Sequence, residues 1–240
     1  DNPDEPFHRH ALVGLNRVAI RYEKFPYQIS NIRGTLEMSE GDWEFRDLEG
    51  FHGPGRLSGG GSLVAASDGS HLSLHLTGKG IPLEAELRDA LKPGMQQIWN
   101  NVQPQGIVDL GVDISYLSGD DRFAINLRAE PRSESTSIKP NYFPYRLENL
   151  HGVLTYRDGH VTLERLRGEH GNTRVSSEGR GDFQPDGSWR LVLTGLDVER
   201  LRVDRELAAV LPGRLRRVIS EINPTGPIHL GGTRWAAVGD

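Results

Sequence analysis

Apolar and polar residues alternate with period two over most of the chain. Ile32, Gly34, Leu36 and Met38 fall on one side of the alternation; Arg33, Thr35 and Glu37 fall on the other. Such a pattern builds a strand with one apolar and one solvated face. Glu40-Gly41 follows, a hairpin pair, and Trp43 and Phe45 resume the apolar side until Leu48-Glu49-Gly50 closes that strand. A third strand is expected around Leu57, and two more around Asp68-Gly69. The last of these sets Leu72, Leu74 and Leu76 against His71, Ser73 and His75. The period then changes. Leu87, Ala90 and Leu91 predict a short helical turn. Met95, Ile98, Trp99 and Val102 recur at i, i+3, i+4, i+7 and predict an amphipathic helix, with Pro93-Gly94 as the break between the two. Strands return over 107–116 and 123–127 around Ser118-Gly119-Asp120-Asp121, and the polar stretch 130–141 is expected to be a loop.

The same order of events then recurs. Phe25-Pro26-Tyr27 reappears as Phe143-Pro144-Tyr145, and at that offset of 118 residues 11 of 29 positions are identical between 25–53 and 143–171. Chance would give about two, so the spacing reads as an internal duplication. The second pass offers Leu150, Gly152, Leu154 and Tyr156 on the apolar face, an Asp158-Gly159 turn, then Val161 and Leu163. Val175 stands for Leu57, and Trp189, Leu191 and Leu193 stand for the final leucine series. Leu207, Val210 and Leu211, then Leu215, Val218, Ile219 and Ile222, repeat the helical pair, with Pro212-Gly213 between them. Pro104-Gln105-Gly106 is matched by Pro224-Thr225-Gly226. The reading divides the chain into 1–24 as the tail of a preceding unit, 25–142 and 143–226 as two units, and 227–240 as the start or cap of a following one. The expected fold is mainly β with α (α+β): a repeated, curled antiparallel sheet forming a groove, with a short helix pair per repeat.

Composition narrows the choice of function. Twenty-eight Lys and Arg against 33 Asp and Glu leave a net charge of -5, which argues against a strongly basic nucleic-acid binder. Gly is 29 of 240 residues, above the usual share, as many tight turns require. Cysteine is absent, which removes disulfides, thiolate nucleophiles and cysteine-built zinc sites. No apolar run approaches the ~18 residues that span a bilayer. The first residues are acidic and proline-rich rather than leader-like, so an anchor or export signal is expected outside this segment.

No phosphate loop, dinucleotide fingerprint, nucleophile elbow or metalloprotease motif occurs, and neither an enzyme, a metal nor a cofactor is expected. His8-x-His10 lacks accompanying carboxylates. His71 and His75 share a polar strand face, which fits solvated surface better than ligation. His52-Gly53 and His170-Gly171 stand at equivalent turns and read as turn elements. Asp109 and Asp113 share a face, but His229 and Thr233 stand in the matching places, against acid–base work there. Trp43, Trp99 and Trp189 fall with Leu or Ile on apolar faces; together with Trp235 they fit core or groove lining better than a sugar platform.

The repeated Pro-Tyr…Asn…Gly-x-Leu opening, the glycine-punctuated short strands, and the Leu-Pro-Gly helix pair ahead of Asn-Pro-x-Gly resemble AsmA-like proteins. These belong with the TamB-type repeating β-groove proteins of the bacterial envelope. The resemblance covers nearly all of residues 12–232. It implies a long curled sheet, apolar on its concave side and polar outside, residing in the periplasm with a membrane anchor beyond this chain. It also implies a link to phospholipid movement between inner and outer membranes. Holding an acyl chain of ~16 carbons costs about 12 kcal/mol in water, at ~0.8 per methylene, so a conducting groove needs continuous apolar lining. The lining expected here is Leu36, Met38, Trp43, Phe45, Leu72, Leu74, Leu154, Tyr156, Val161, Leu163, Leu191 and Leu193. Five strands per unit at ~4.8 Å would give roughly 24 Å of groove. The expected partners are phospholipid acyl chains, adjacent repeats of the same chain, and a membrane through segments outside it. Two other readings compete: a structural envelope repeat in which the same residues close into a dry core, and a carbohydrate-binding module with aromatics on the outer face.

Overall fold

The structure, a computed structural model, describes residues 9–23, 25–67, 69–120, 122–141, 145–184, 186–202, 207, 217, 221 and 226–239. Among them the chain is mainly β and antiparallel. The strands are β1 (His10–Tyr22), β2 (Phe25–Ser39), β3 (Asp42–His52), β4 (Gly55–Ala66) and β5 (Gly69–Pro82), followed by helices α1 (Ala85–Ala90) and α2 (Pro93–Val102). Then come β6 (Ile107–Leu117), β7 (Arg122–Pro131), β8 (Glu148–Arg157), β9 (His160–His170), β10 (Thr173–Phe183), β11 (Trp189–Leu201) and β12 (Ile228–Gly239). The order of strands in the sheet follows the order of the chain. Two compact units form: residues 1–81 with 110–127, and residues 82–109 with 128–240.

Three sequence expectations change. The three strands expected between Leu57 and Leu76 are two. Gly55–Ala66 is a single strand whose Gly59 and Gly61 pair with Leu48 and Phe45 on one side and with Leu76 and Leu74 on the other. Four strands, not five, therefore separate Phe25 from the helices. Pro93-Gly94 does not break the helices apart but opens α2, with Pro93 in its first turn, where a missing N–H costs nothing. The break falls at Leu91 and Lys92, which are extended. The stretch 130–141 is pinned rather than loose. A 3-10 turn over Ser133–Ser135 leads to bridges Gln105↔Ser137 and Ile138↔Leu147. Thr136 is 3% exposed, with its hydroxyl 2.6 Å from the Ile107 carbonyl oxygen. That pairing meets the backbone's hydrogen-bonding needs where side chains give no strand signal. The second helix pair, at 207–222, lies almost wholly outside the described residues, as do Phe143, Pro144 and Pro224. Leu207, Arg217 and Glu221 alone are described there, and all three are helical.

Positions 118 apart share unusual backbone. Asn31 and Asn149 have φ of 53° and 50°, Asp47 and Arg165 both 51°, and Gly53 and Gly171 52° and 55°. Glu40-Gly41 and Asp158-Gly159 both turn with two positive φ values, the hairpin geometry that suits strand twist. The extra residues fall alike. Register slips between Ser30 and Thr35 on β2 recur between Glu148 and Val153 on β8, and the slip at Phe45/Leu48 recurs at Leu163/Leu166. Each bulge turns the following side chains back to the apolar face.

Burial concentrates toward one end of the strands. In the first unit Tyr27, Ile32 and Ile81 are buried, and a Cβ on Gly50 would come within 2.7 Å of an Ile29 methyl. In the second, Tyr145, Val198, Leu201 and Leu207 cluster, flanked by Val175, Leu196 and Ile228. Tyr27 stacks on His52 with ring centroids 3.8 Å apart, and Tyr145 on His170 at 4.3 Å. Each histidine Nδ1 sits on a main-chain carbonyl, Gln28 at 2.6 Å and Arg146 at 3.1 Å, so each donates there. The two histidines thus brace their turns.

Candidate functional site

Away from that buried end, the residues expected to line a groove are brought into rows across the strands. In the first unit one row runs Val13, Leu36, Phe45, Gly61, Leu74; the next runs Ala11, Met38, Trp43, Leu63, Leu72. In the second unit one row runs Leu154, Leu163, Gly179, Leu193, and the next runs Tyr156, Val161, Gly181, Leu191. Register places all twelve residues on the apolar side because each hairpin turn fixes which positions oppose one another. Eleven of them are half-buried; Val161 is 7% exposed. These side chains are neither sealed in a core nor fully in water.

The sequence reading missed the glycines between them. Gly61 and Gly179 occupy the middle strand of each row. A Cβ on Gly179 would come within 3.0 Å of methyls of both Leu163 and Leu193, and one on Gly61 would collide with the Ser73 carbonyl oxygen. Gly34 and Gly152 similarly have Leu48 and Leu166 over them, at 2.7 and 2.9 Å from the would-be Cβ. Leucines from neighbouring strands thus lie down over a floor without side chains. The signal was available: glycines alternate at 59 and 61, and at 179 and 181, with the period of a strand face.

The apolar face of the second unit is partly covered at its hairpin end. Trp189 is 8% exposed, and its indole N–H donates to Gln97 Oε1 of α2 at 3.3 Å. A Cβ on Gly94 would lie 3.1 Å from the Gly187 carbonyl oxygen. Tyr156 meets Phe183 edge-on at 6.3 Å. So α2, strands away in sequence, rests against the β10–β11 hairpin. Beside it an open cleft of about 380 Å³ is lined by Arg88, Trp99, Asn100, Gln103, Pro104 and Gln105. That cleft is polar. Gln103 donates to Asn141 at 2.6 Å and Gln105 accepts from Arg146 at 2.8 Å.

The opposite face carries the charges. Arg46 bridges Glu37 at 2.7 Å and Glu44 at 2.6 Å, and Arg56 meets Glu49 at 3.0 Å. The Arg46 hydrogen bond holds the Glu44 carboxyl below its usual range, and the same partners raise Arg46. The Ser188 hydroxyl and amide likewise lower Asp186 in the β10–β11 turn. His71 contacts Ser115 at 3.0 Å, and His75 pairs with Asp113, on this exposed face. Asp109 pairs with Arg132 at 2.9 Å, and His10 with Glu37 at 3.0 Å. Trp43 lies in an apolar row, Trp189 under α2, and Trp99 along the polar cleft; His8 and the Trp235 side chain lie outside what is described. No helix among the described residues is long and apolar enough to cross a membrane. Compared with known proteins, the chain matches no family model and no solved structure.

Proposed function

We propose that the apolar face holds phospholipid acyl chains, and that the chain is a segment of an AsmA-like envelope protein passing lipid between membranes from the periplasm. The observation that carries this reading is the half-exposure of the apolar rows. Eleven of twelve lining side chains remain partly open to solvent, over glycine floors that leave them room to lie flat. Soluble proteins seldom leave contiguous apolar surface uncovered without a ligand or partner for it. The rows consist of apolar side chains and glycines, which suits passage over capture. The matching turns, bulges and Tyr–His stacks 118 residues apart support the view that the two stretches are copies of one module. A series of such modules is what crossing an envelope needs, since a few strands at ~4.8 Å each reach only part of the way.

The competing reading, a closed structural module, is favoured at one place. Tyr145, Val198, Leu201 and Leu207 make a sealed core, and α2 covers Trp189. On our reading that end closes the module and the remaining rows carry lipid. The carbohydrate reading needs aromatics on the polar face, and Trp43 stands in an apolar row instead. Native mass spectrometry of the chain purified from a bacterial host tests the proposal. Phospholipid-sized adducts that exchange with added lipid are expected. A chain free of lipid, and refractory to loading from phosphatidylglycerol or phosphatidylethanolamine vesicles, would refute it.

A further inference from the structure

Helix α2 ends in the polar cleft, which takes no part in the apolar rows. Trp99 and Asn100 come from its last turn, Gln103 is its C-cap, Pro104 and Gln105 follow, and Arg88 comes from α1. A volume of about 380 Å³ falls within the range of small-molecule sites, ~300–1,000 Å³. Trp99 is half-buried, and among the described residues its indole N–H has no hydrogen-bond partner. The aromatic surface here belongs to a helix rather than to either face of the sheet.

The hydrogen bonds around the cleft fix which way its amides face. Asn141 Nδ2 lies 3.3 Å from the Asn100 carbonyl oxygen, which can only accept. Asn141 therefore turns Oδ1 toward Gln103, whose Nε2 donates to it at 2.6 Å. That leaves Gln103 Oε1 as an acceptor. The Arg146 guanidinium can only donate, and it donates to Gln105 Oε1 at 2.8 Å, so Gln105 keeps its Nε2 donors. The Asn100 side chain is exposed, has no partner among the described residues, and offers both kinds of group. Gln103 holds its place with a left-handed backbone, φ 44°, at a cap position that glycine more often fills.

We propose that this cleft binds an uncharged sugar ring, packed against Trp99 and hydrogen-bonded by Asn100, Gln103 and Gln105. A sugar hydroxyl both donates and accepts, which suits one fixed acceptor, one fixed donor and one amide that is both. The C–H face of a pyranose suits an aromatic ring. Charge points the same way. Arg88 gives its Nε and one Nη to Asp89 at 2.8 and 2.7 Å, so its charge is answered beside it. An anion would meet the Gln103 acceptor. A cation would meet Arg88 with no carboxylate lining the cleft among the described residues. An extended peptide needs a longer groove than one helical turn, its cap and the two residues beyond. The ring could come from a free glycan or from a glycolipid headgroup, and nothing in its recognition depends on the lipid reading of the sheet.

The chain's four tryptophans give four indole N–H signals in a nitrogen-15 NMR titration, and Trp99→Phe identifies the one that matters. Maltose, cellobiose or diacetylchitobiose is expected to move the Trp99 indole and the Asn100, Gln103 and Gln105 amides saturably, with a dissociation constant of about 1 mM or tighter. Asn100→Ala, on an exposed position, should weaken this about tenfold with an unchanged circular dichroism spectrum. Arg88→Gln should change it by less than about threefold. Phosphatidylcholine vesicles with and without glucosyl diacylglycerol separate the sources. Co-sedimentation with the glycolipid vesicles, lost in Asn100→Ala, assigns a lipid headgroup, and binding of the disaccharides alone assigns a free glycan. No saturable shift with any of the three sugars up to about 50 mM would overturn the proposal. So would loss of all binding in Arg88→Gln, which would mark an anion site.

Discussion

Leu74→Asp separates an open lipid face from a closed core. Leu74 lies in the first unit's row between Phe45 and the strands beyond, opposite Gly61, and is half-buried. An acyl chain running along that row crosses one strand every ~4.8 Å, or about four methylenes per strand. Losing contact with about four methylenes at ~0.8 kcal/mol each removes about 3 kcal/mol of binding. At 1.4 kcal/mol per tenfold, that is on the order of 100-fold weaker lipid binding. The fold should suffer less. Gly61 presents no side chain beneath the carboxylate, and the site already reaches water, so about 1 kcal/mol of stability is expected to go. Leu191→Asp, opposite Gly181 in the second unit, should behave alike. Native mass spectrometry reads the lipid and urea unfolding reads the stability. A folded variant that keeps its lipid would refute the groove. Loss of about 3 kcal/mol or more of stability would mean that the leucine is sealed in a core after all.

Other outcomes follow from the same geometry. Gly61→Ala should destabilise by about 2 kcal/mol or more because the new methyl meets the Ser73 backbone, whereas the nearest atoms to a methyl on Gly179 belong to leucine side chains, and Gly179→Ala should cost under about 1 kcal/mol; urea midpoints compare them. Tyr145→Ala should cost about 3–5 kcal/mol, since that ring is 1% exposed, while Tyr145→Phe keeps the stack on His170 and should cost under about 1 kcal/mol. Glu44 titrates below its usual range in the folded chain, so whatever stability it adds is complete above the ordinary glutamate range and lost as pH falls through the lowered value. Arg46→Gln should return the Glu44 titration, followed by NMR, to the ordinary range.

Periodicity alone determined that the chain is mainly β and which apolar side chains share a strand face. Alternation is a local property, and a strand has only two faces on which to put it. The hairpin pairs Glu40-Gly41 and Asp158-Gly159 were equally legible, because their positive φ values demand such residues. The strand count was not. Gly59, Gly60 and Gly61 carry no apolar signal, yet they sit inside β4, where a Cβ would run into the carbonyl oxygens of Phe45, Ser73 and His75 and the leucine side chains of β5. Nor could the chain's alternation show that 130–141 is pinned by Gln105 and Ile107, or that α2 settles on Trp189. Those contacts join residues far apart in sequence, and what decides them is which hydrogen-bonding groups and apolar surfaces meet once the strands have paired. The degree of burial is also tertiary. A leucine on an apolar face reads the same in sequence whether it is sealed, like Leu201, or half open, like Leu74, because only what lies above that face distinguishes the two.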